Sequence, residues 1–354
     1  MITKRVAFSL QQLEEFDDHL MVIAFEEKNS GLQGFIAVHN THLGPTLGGT
    51  RFQAYASKEQ ALRDVLNLSK AMSYKCAMAG LPFGGAKGVI IKTPGMNKNA
   101  AFQRYAEVVE ELRGLFKTGT DVGIYDTDVA HMARYTSHML GVVPGDRGDM
   151  STSSIAALGV YYSIRASLKH RYGSGSPKGV AIGIKGVGKL GGELARLLYA
   201  DGALLTIADI DSNRCDELAA AYPGTKVCPP ELIHTLPFQV YSPCALGNEF
   251  TRTTIKQLKT DIIAGGANNQ LAHDGIGDRL HELGILYAPD YIANAGGLIY
   301  VADELEEGGF RPQRVLQRTK AVGQTLAEVY AAATEQHKST NAVASNIARE
   351  RMRA

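Results

Sequence analysis

The sequence predicts an α/β protein of two domains, the second built on a parallel sheet with helices on both faces. Three observations carry this. The chain has 354 residues, more than one hydrophobic core usually organises. From Val180 onward, short apolar runs alternate with helical stretches, the signature of a parallel sheet. The first of these alternations encloses the glycine-rich turn Gly186-Val187-Gly188-Lys189-Leu190-Gly191. The breaker- and charge-rich stretch Val143-Pro144-Gly145-Asp146-Arg147-Gly148-Asp149 marks the boundary. The expected domains are 1–145 and 146–333, with a C-terminal helix over 334–354 rejoining the first.

Residues 20–26 form an apolar run that reads as a strand, and Ser30-Gly31-Leu32-Gln33-Gly34 reads as a turn into a returning strand over 35–38. Ser57 is placed as an N-cap, with Gln60 in capping-box position, and Ala61, Leu62, Val65, Leu66, Ala71 and Met72 make one helical face. Residues 88–92 suggest a short buried strand. Phe102, Tyr105, Ala106, Val109, Leu112 and Phe116 again follow helical spacing. A helix over 155–168 and a surface loop, Gly173-Ser174-Gly175-Ser176-Pro177, precede the alternating region. Two terminal helices are expected over 315–333 and 341–352.

Composition narrows the function classes. Hydrophobic residues make up 45% and charged residues 21%, so sizeable cores are expected rather than disorder. Lys plus Arg number 37 against 36 Asp plus Glu, which gives no basic stripe for nucleic acid or an anionic membrane. No apolar run approaches the ~18 residues of a membrane span, and the N-terminus lacks the apolar core of a secretory signal. The four cysteines form no CxxC, and no metal site is expected. The plain expectation is a soluble cytoplasmic protein with reduced thiols, binding neither nucleic acid nor membrane.

The glycine-rich turn has a specific physical logic. It follows the apolar strand 180–184 and opens a helix running through Leu198. Gly186 permits the tight turn, Gly188 lets backbone approach a pyrophosphate, and Gly191 allows the helix to pack closely on the strand. A second strand, 204–208, ends at Asp209, where a carboxylate can accept hydrogen bonds from ribose hydroxyls and repel a 2′-phosphate. The reading is a Rossmann-type, doubly wound dinucleotide-binding domain with NAD as cofactor. A purely structural glycine turn is the alternative.

The reacting groups are less determined by spacing. Lys75 in Met72-Ser73-Tyr74-Lys75 and Lys87 in Gly84-Gly85-Ala86-Lys87 sit among apolar residues and glycines. Desolvation would disfavour the charge on Lys87 and suit it to act as a base. Two lysines snorkelling at element ends would look the same. Asp121, in Thr118-Gly119-Thr120-Asp121-Val122-Gly123, is either a working carboxylate or a turn aspartate. Asp126 and Asp128 read as helix caps. The glycine-flanked asparagines Asn268, Asn269 and Asn294 suit a crowded ligand site or, alternatively, helix caps. Cys244 reads as a small buried hydrophobe.

These stretches together resemble the amino-acid dehydrogenases of the glutamate/leucine/phenylalanine/valine group, nearly end to end. The matching segments are Leu43-Gly44-Pro45-Thr46-Leu47-Gly48-Gly49-Thr50-Arg51, Tyr74-Lys75, Gly84-Gly85-Ala86-Lys87, Asp121-Val122-Gly123, Pro243-Cys244-Ala245-Leu246-Gly247, Ala267-Asn268-Asn269-Gln270-Leu271 and Asn294-Ala295-Gly296-Gly297. The resemblance implies an N-terminal α/β substrate and oligomerisation domain, a Rossmann-type domain, and a substrate cleft between them. It implies that Lys75 pairs with the α-carboxylate, that Asn294 bonds near it, and that Gly48 and Gly49 bring backbone close. Lys87 would be the base that activates water, and Asp121 would move protons and orient Lys87. Gly186, Val187, Gly188, Lys189, Leu190, Gly191, Asp209, Cys244, Ala245, Asn268 and Asn269 would hold the NAD.

Leu47, Gly119, Leu298 and Val301 would surround the side chain. The Thr-Gly-Thr-Asp sequence looks like the phenylalanine-using branch, and the absence of a cation at these positions argues against glutamate. The implied activity is reversible oxidative deamination of a hydrophobic, aromatic L-amino acid to the 2-oxo acid and ammonia, by a homo-oligomer. A leucine/valine dehydrogenase is the first alternative, and a non-catalytic NAD-binding sensor the second. The sequence departs from the family pattern at Ile124, Tyr125, Ser154, Ala156 and Lys185.

Overall fold

The computed structural model describes residues 10–141 and 150–353. They fall into two compact units. The first takes in the N-terminal part and the chain again from Arg349, and the second takes the residues between. The boundary stretch expected at Val143 to Asp149 lies outside the described residues. Of the C-terminal segment expected to rejoin the first unit, only the part from Arg349 does so, and the residues before it belong to the second unit.

The first unit comprises β1 (Met21–Glu27), β2 (Leu32–Asn40), β3 (Thr46–Gln53), α1 (Lys58–Met78), β4 (Gly84–Ile91), α2 (Lys98–Glu111), β5 (Phe116–Gly119) and α3 (Asp126–Met132). The strands lie in the order β1-β2-β4-β3-β5. The β1–β2 and β2–β4 pairs are antiparallel, whereas β3 runs parallel to both β4 and β5. Side chains alternate across this sheet as a strand requires. Phe35, Ala37, Val89 and Ile91 pack with Leu62, Val65 and Leu66 of α1 on one face. Ile36, Val38 and Ile90 pack with Phe102, Tyr105 and Val109 of α2 on the other.

The N-cap of α1 is Ser57, whose Oγ accepts the Gln60 N–H at 3.1 Å. The Gln60 side chain reaches back to the Ala56 N–H at 2.8 Å, one residue beyond the usual box.

Three elements differ from expectation, each because a glycine or apolar residue serves a different purpose. The turn is over by Gly31 (φ +77°), and Gly34 lies inside β2, where a Cβ would sit 2.0 Å from the Val89 carbonyl. β4 begins at Gly84 rather than Gly88, so Lys87 is a mid-strand residue and does not precede the strand. Gly84 and Gly85 are strand positions because Cβ atoms there would sit 1.9 Å from the Asn40 carbonyl and 2.0 Å from the Ser73 amide. The helical spacing does not reach Phe116. Arg113 (φ 50°) and Gly114 (φ 83°) turn the chain left-handed, and Phe116 opens β5.

The second unit comprises α4 (Thr152–Tyr172), β6 (Ala181–Lys185), α5 (Lys189–Ala200), β7 (Leu204–Ala208), α6 (Ser212–Ala221), β8 (Lys226–Val227), β9 (Pro237–Pro243), β10 (Lys259–Ile263), α7 (Gly275–Glu282), β11 (Leu286–Tyr287), α8 (Asp290–Ala293), α9 (Gly296–Ala302), α10 (Pro312–Gln336) and α11 (Thr340–Arg353) up to Ala348. All strand pairs are parallel, in the order β11-β10-β9-β6-β7-β8. This is the doubly wound order, with its switch point between β6 and β9, where such sheets bind ligands at their carboxyl ends. Ser154, one of the departures from the family pattern, completes a reciprocal cap with Ser151 at the start of α4 (3.1 and 2.9 Å). Among the described residues, no helix is long and apolar enough to cross a membrane, and no His, Cys, Asp or Glu cluster could hold a metal.

Candidate active site

In the first unit, β3, β4 and the loop after β5 bring three groups together. Lys87 projects from β4, and its Nζ lies 2.7 Å from Asp121 Oδ2, with both side chains largely buried. Gly49 of β3 is the ledge under this pair. A Cβ there would meet the Thr120 carbonyl at 2.6 Å, Asp121 Cβ at 3.0 Å and Lys87 Nζ at 3.3 Å. Gly48 is tighter still, with the Ala86 carbonyl 1.7 Å from where its Cβ would be.

Lys75 is half-buried on α1, two residues after Ser73, which packs on Gly85 of β4. Lys87 is buried, and its Nζ faces the Asp121 carboxylate. Burial would raise the Asp121 carboxyl, yet the ammonium of Lys87 and the guanidinium of Arg51 outweigh burial and hold it down to about 2. Asp121 is therefore a carboxylate in this protein.

Arg51 is the residue that sequence reasoning quoted without assigning a role. Its Nε lies 3.5 Å from Asp121 Oδ2. Its Nη1 donates to Asp64 of α1 at 3.0 and 3.2 Å, and the Tyr55 hydroxyl donates to the same carboxylate at 2.6 Å. The available signal was a single charged residue in an otherwise uncharged strand.

The side-chain pocket reading changes in one respect. Leu47 is fully buried within β3. The missing Cβ of Gly119 does not open free volume, because it would point at Leu140, 3.3 Å from its carbonyl and 3.4 Å from its Cβ. Leu140, not singled out from sequence, fills that space. Asp128 caps α3 as expected, accepting the Tyr125 N–H at 3.0 Å. Ile124 is buried in the core shared with α2, and Tyr125 is exposed.

In the second unit, Gly186 is left-handed (φ +91°), and a Cβ on it would lie 2.8 Å from Ala245. Gly188 is the N-cap of α5, and a Cβ on Gly191 would lie 1.9 Å from the Gly186 carbonyl. Backbone thus approaches backbone closely at the switch point, beside the N-terminus of the twelve-residue helix α5. Asp209 Oδ2 accepts the Val187 N–H at 2.7 Å, and Oδ1 accepts the Asp211 N–H at 3.0 Å. The acid is therefore fixed against the glycine loop. These features fit a dinucleotide, with the pyrophosphate at the α5 N-terminus and the ribose at Asp209.

Lys189 is exposed at the start of α5, and Leu190 packs over Gly266. Burial pushes the Cys244 thiol up, in keeping with a small apolar role. Asn268 and Asn269 are exposed, and Asn269 is left-handed (φ 51°). Asn294 donates to Asn268 Oδ1 at 2.8 Å, while its own Oδ1 is buried without a hydrogen-bond partner. Leu298 and Val301, three residues apart on α9, are both half-buried. Lys185 is paired with Glu249 at 2.8 Å, and Glu249 also accepts the Tyr241 hydroxyl at 2.7 Å.

Comparison with known proteins supplies the wider context. The family model for the dimerisation domain of Glu/Leu/Phe/Val dehydrogenases matches residues 18–138. The Glutamate/Leucine/Phenylalanine/Valine dehydrogenase model matches residues 204–352. Phenylalanine dehydrogenase of Thermoactinomyces intermedius is 42% identical over 95% of this chain and 92% of its own. Leucine dehydrogenase of Bacillus cereus is 39% identical over 97% and 93%. The crystal structure of L-tryptophan dehydrogenase from Nostoc punctiforme superposes with a TM-score of 0.83 at 34% identity, covering 95% of this chain and 96% of that one.

Proposed function

The chain belongs to the glutamate/leucine/phenylalanine/valine dehydrogenase family of amino-acid oxidoreductases, and on that premise we propose that it reversibly deaminates a hydrophobic L-amino acid with NAD, taking aromatic side chains ahead of aliphatic ones. The observation that carries the catalytic reading is the buried Lys87–Asp121 pair on the Gly49 ledge. Membership of an enzyme family replaces the sensor alternative.

Oxidative deamination removes a hydride from the α-carbon and a proton from the α-ammonium, then adds water and releases ammonia and a 2-oxo acid. The dinucleotide, when bound, supplies the hydride acceptor. The remaining work falls to side chains of this chain. Lys75 pairs with the α-carboxylate and fixes the substrate's orientation. Asp121, ionised, accepts a hydrogen bond or a proton from the substrate nitrogen. Lys87 takes up the proton from the attacking water. Gly48 and Gly49 bring their backbone close to the substrate. Asn294, with its orphaned Oδ1, is an amide still able to accept a hydrogen bond. Residues 1–145 are assigned to substrate binding and self-association, a reading supported by the dimerisation-domain match.

NAD is favoured over NADP by the Asp209 carboxylate, fixed where a 2′-phosphate would be repelled. Arg214 reaches over Gly188, but its guanidinium is already paired with Asp211 at 3.2 Å.

The aromatic preference rests on the Thr118-Gly119-Thr120-Asp121 sequence and on the phenylalanine- and tryptophan-dehydrogenase relatives. The packing of Leu140 against Gly119 favours the second reading, a leucine/valine dehydrogenase with a smaller pocket.

Replacing Lys87 tests the mechanism. K87A should lose deamination by a factor of ~10²–10⁴ while still binding NADH, read by the coenzyme's fluorescence. Near-normal turnover in K87A would mean that the base lies elsewhere.

A further inference from the structure

The four groups Asp64, Arg51, Asp121 and Lys87 form a chain of alternating charge reaching from α1 across β3 to β4. Arg51 Nε and Lys87 Nζ converge on the same oxygen, Asp121 Oδ2, at 3.5 and 2.7 Å. Arg51 and Asp121 side chains are 16% and 18% exposed, so water screens the contact only weakly. Neither Arg51 Nε nor Asp121 Oδ2 has an aligned hydrogen bond. The contact between them is ionic, and its effect is that of charge. A guanidinium does not titrate, so it is a permanent positive neighbour of the pair.

The far end of Arg51 is fixed by two hydrogen bonds to Asp64, and Asp64 is fixed in turn by the Tyr55 hydroxyl. Burial and then Asp64 push the Tyr55 phenol above its ordinary range, so it stays a donor.

We infer that Arg51, anchored by Asp64 and Tyr55, is a positioning residue for the reaction: it shares Asp121 Oδ2 with Lys87 and lowers the pH at which the Lys87–Asp121 pair gives up its proton. This rests on the dehydrogenase reading above. A buried lysine facing one carboxylate alone is a tight pair that resists giving up its proton, and such a pair makes a poor base at neutral pH. The second cation on the shared oxygen weakens that hold and keeps Asp121 ionised before substrate binds. Lys87 and Arg51 are the charged groups acting on Asp121, and Asp121 and Asp64 are the carboxylates acting on Arg51.

The test is the pH profile of kcat/KM with NAD and a hydrophobic L-amino acid, for the parent, R51Q, R51K and D64N, with circular dichroism and thermal unfolding reporting the fold of each. The acidic limb belongs to the pair as a unit. Loss of a charge this close, worth up to about three pH units at an effective dielectric near 20, should raise that limb by at least about one pH unit in R51Q. Activity should return toward the parent's at high pH. R51K keeps the charge and should stay near the parent. D64N leaves Arg51 wholly to Asp121 and should move the limb the other way.

A purely structural role would lower turnover at every pH without moving the limb, and an unmoved limb in folded R51Q overturns the inference. If R51Q does not fold, D64N decides, and an unmoved or rising limb overturns it. A parent inert toward every L-amino acid overturns the dehydrogenase reading, and this inference with it. An active parent with an unmoved R51Q limb overturns this inference alone.

Discussion

Adding one methyl group at Gly49 should disable the reaction with little loss of fold. The added Cβ would lie 2.6 Å from the Thr120 carbonyl, 3.0 Å from Asp121 Cβ and 3.3 Å from Lys87 Nζ. Gly49 is not among the residues with positive φ, so the cost is collision and not backbone strain. A carbon and an oxygen at 2.6 Å must separate by roughly 0.6–0.9 Å to reach a relaxed contact. The atoms in the way belong to the Asp121 loop. Overpacking of this kind costs about 1–3 kcal/mol, while a displacement approaching 1 Å in a catalytic pair costs about 10²-fold in rate.

G49A should therefore fold, bind NADH and turn over roughly a hundredfold more slowly. G48A is the contrasting case. Its Cβ would lie 1.7 Å from the Ala86 carbonyl in a neighbouring strand, and neither strand can move away without breaking the sheet. It should lose far more stability than G49A. The assay is NADH formation at saturating substrate, with thermal unfolding of both variants alongside. If G49A turns over like the parent, the ledge does not position the pair and the geometric reasoning fails.

Three further outcomes are expected. D209S should relax the preference for NAD over NADP, measured as the ratio of kcat/KM for the two coenzymes, and a parent that already prefers NADP would show that Asp209 does not set the choice. The double change G119A with L298V should shift preference toward leucine and valine by roughly 10–200-fold, with little of it from G119A, whose Cβ would meet Leu140; a parent that already prefers the aliphatic substrates contradicts the aromatic reading. His39 is buried beside His19, and burial first, then His19, hold it down to about 4, so it is neutral in the native state. The unfolded chain takes up that proton below about 6.5. Stability should thus fall from pH 6.5 toward 4, by at most about 3 kcal/mol from this residue. Unfolding curves across that range should lose part of the slope in H39N, with His19 and the lowered carboxylates keeping the rest, and an unchanged slope would assign all of it to those other groups.

Much of the second unit was legible because its signals are local in sequence. The strand before Gly186, the helix after Gly191 and the acid at Asp209 lie within one short segment. Their parallel pairing follows from the alternation of strand and helix. The first unit was harder to read because its glycines serve packing rather than turns. Gly34, Gly84 and Gly85 look like turn residues in sequence, yet each lies in a strand where a neighbour occupies the Cβ position. The strand consequently looked as if it began after Lys87, which lies in its middle. Phe116 continued a helical spacing that the left-handed Arg113–Gly114 step interrupts.

The partners of Asp121 were legible only in part. Lys87 and Asp121 could be suspected as a pair, but nothing in sequence spacing brings Asp64 of α1 and Tyr55 onto Arg51. That contact is made by the packing of a helix on a sheet. Leu140 was missed for the same reason. It fills the space at Gly119 through an isolated pairing of Met139 with Thr118.

The most direct test of the central claim is coenzyme reduction followed at the NADH absorbance band, with the purified parent, NAD, and each of the common L-amino acids in turn. The expected result is reduction with hydrophobic L-amino acids, greatest with an aromatic one, and little or none with glutamate. No reduction with any of them, or a clear preference for glutamate, would contradict it.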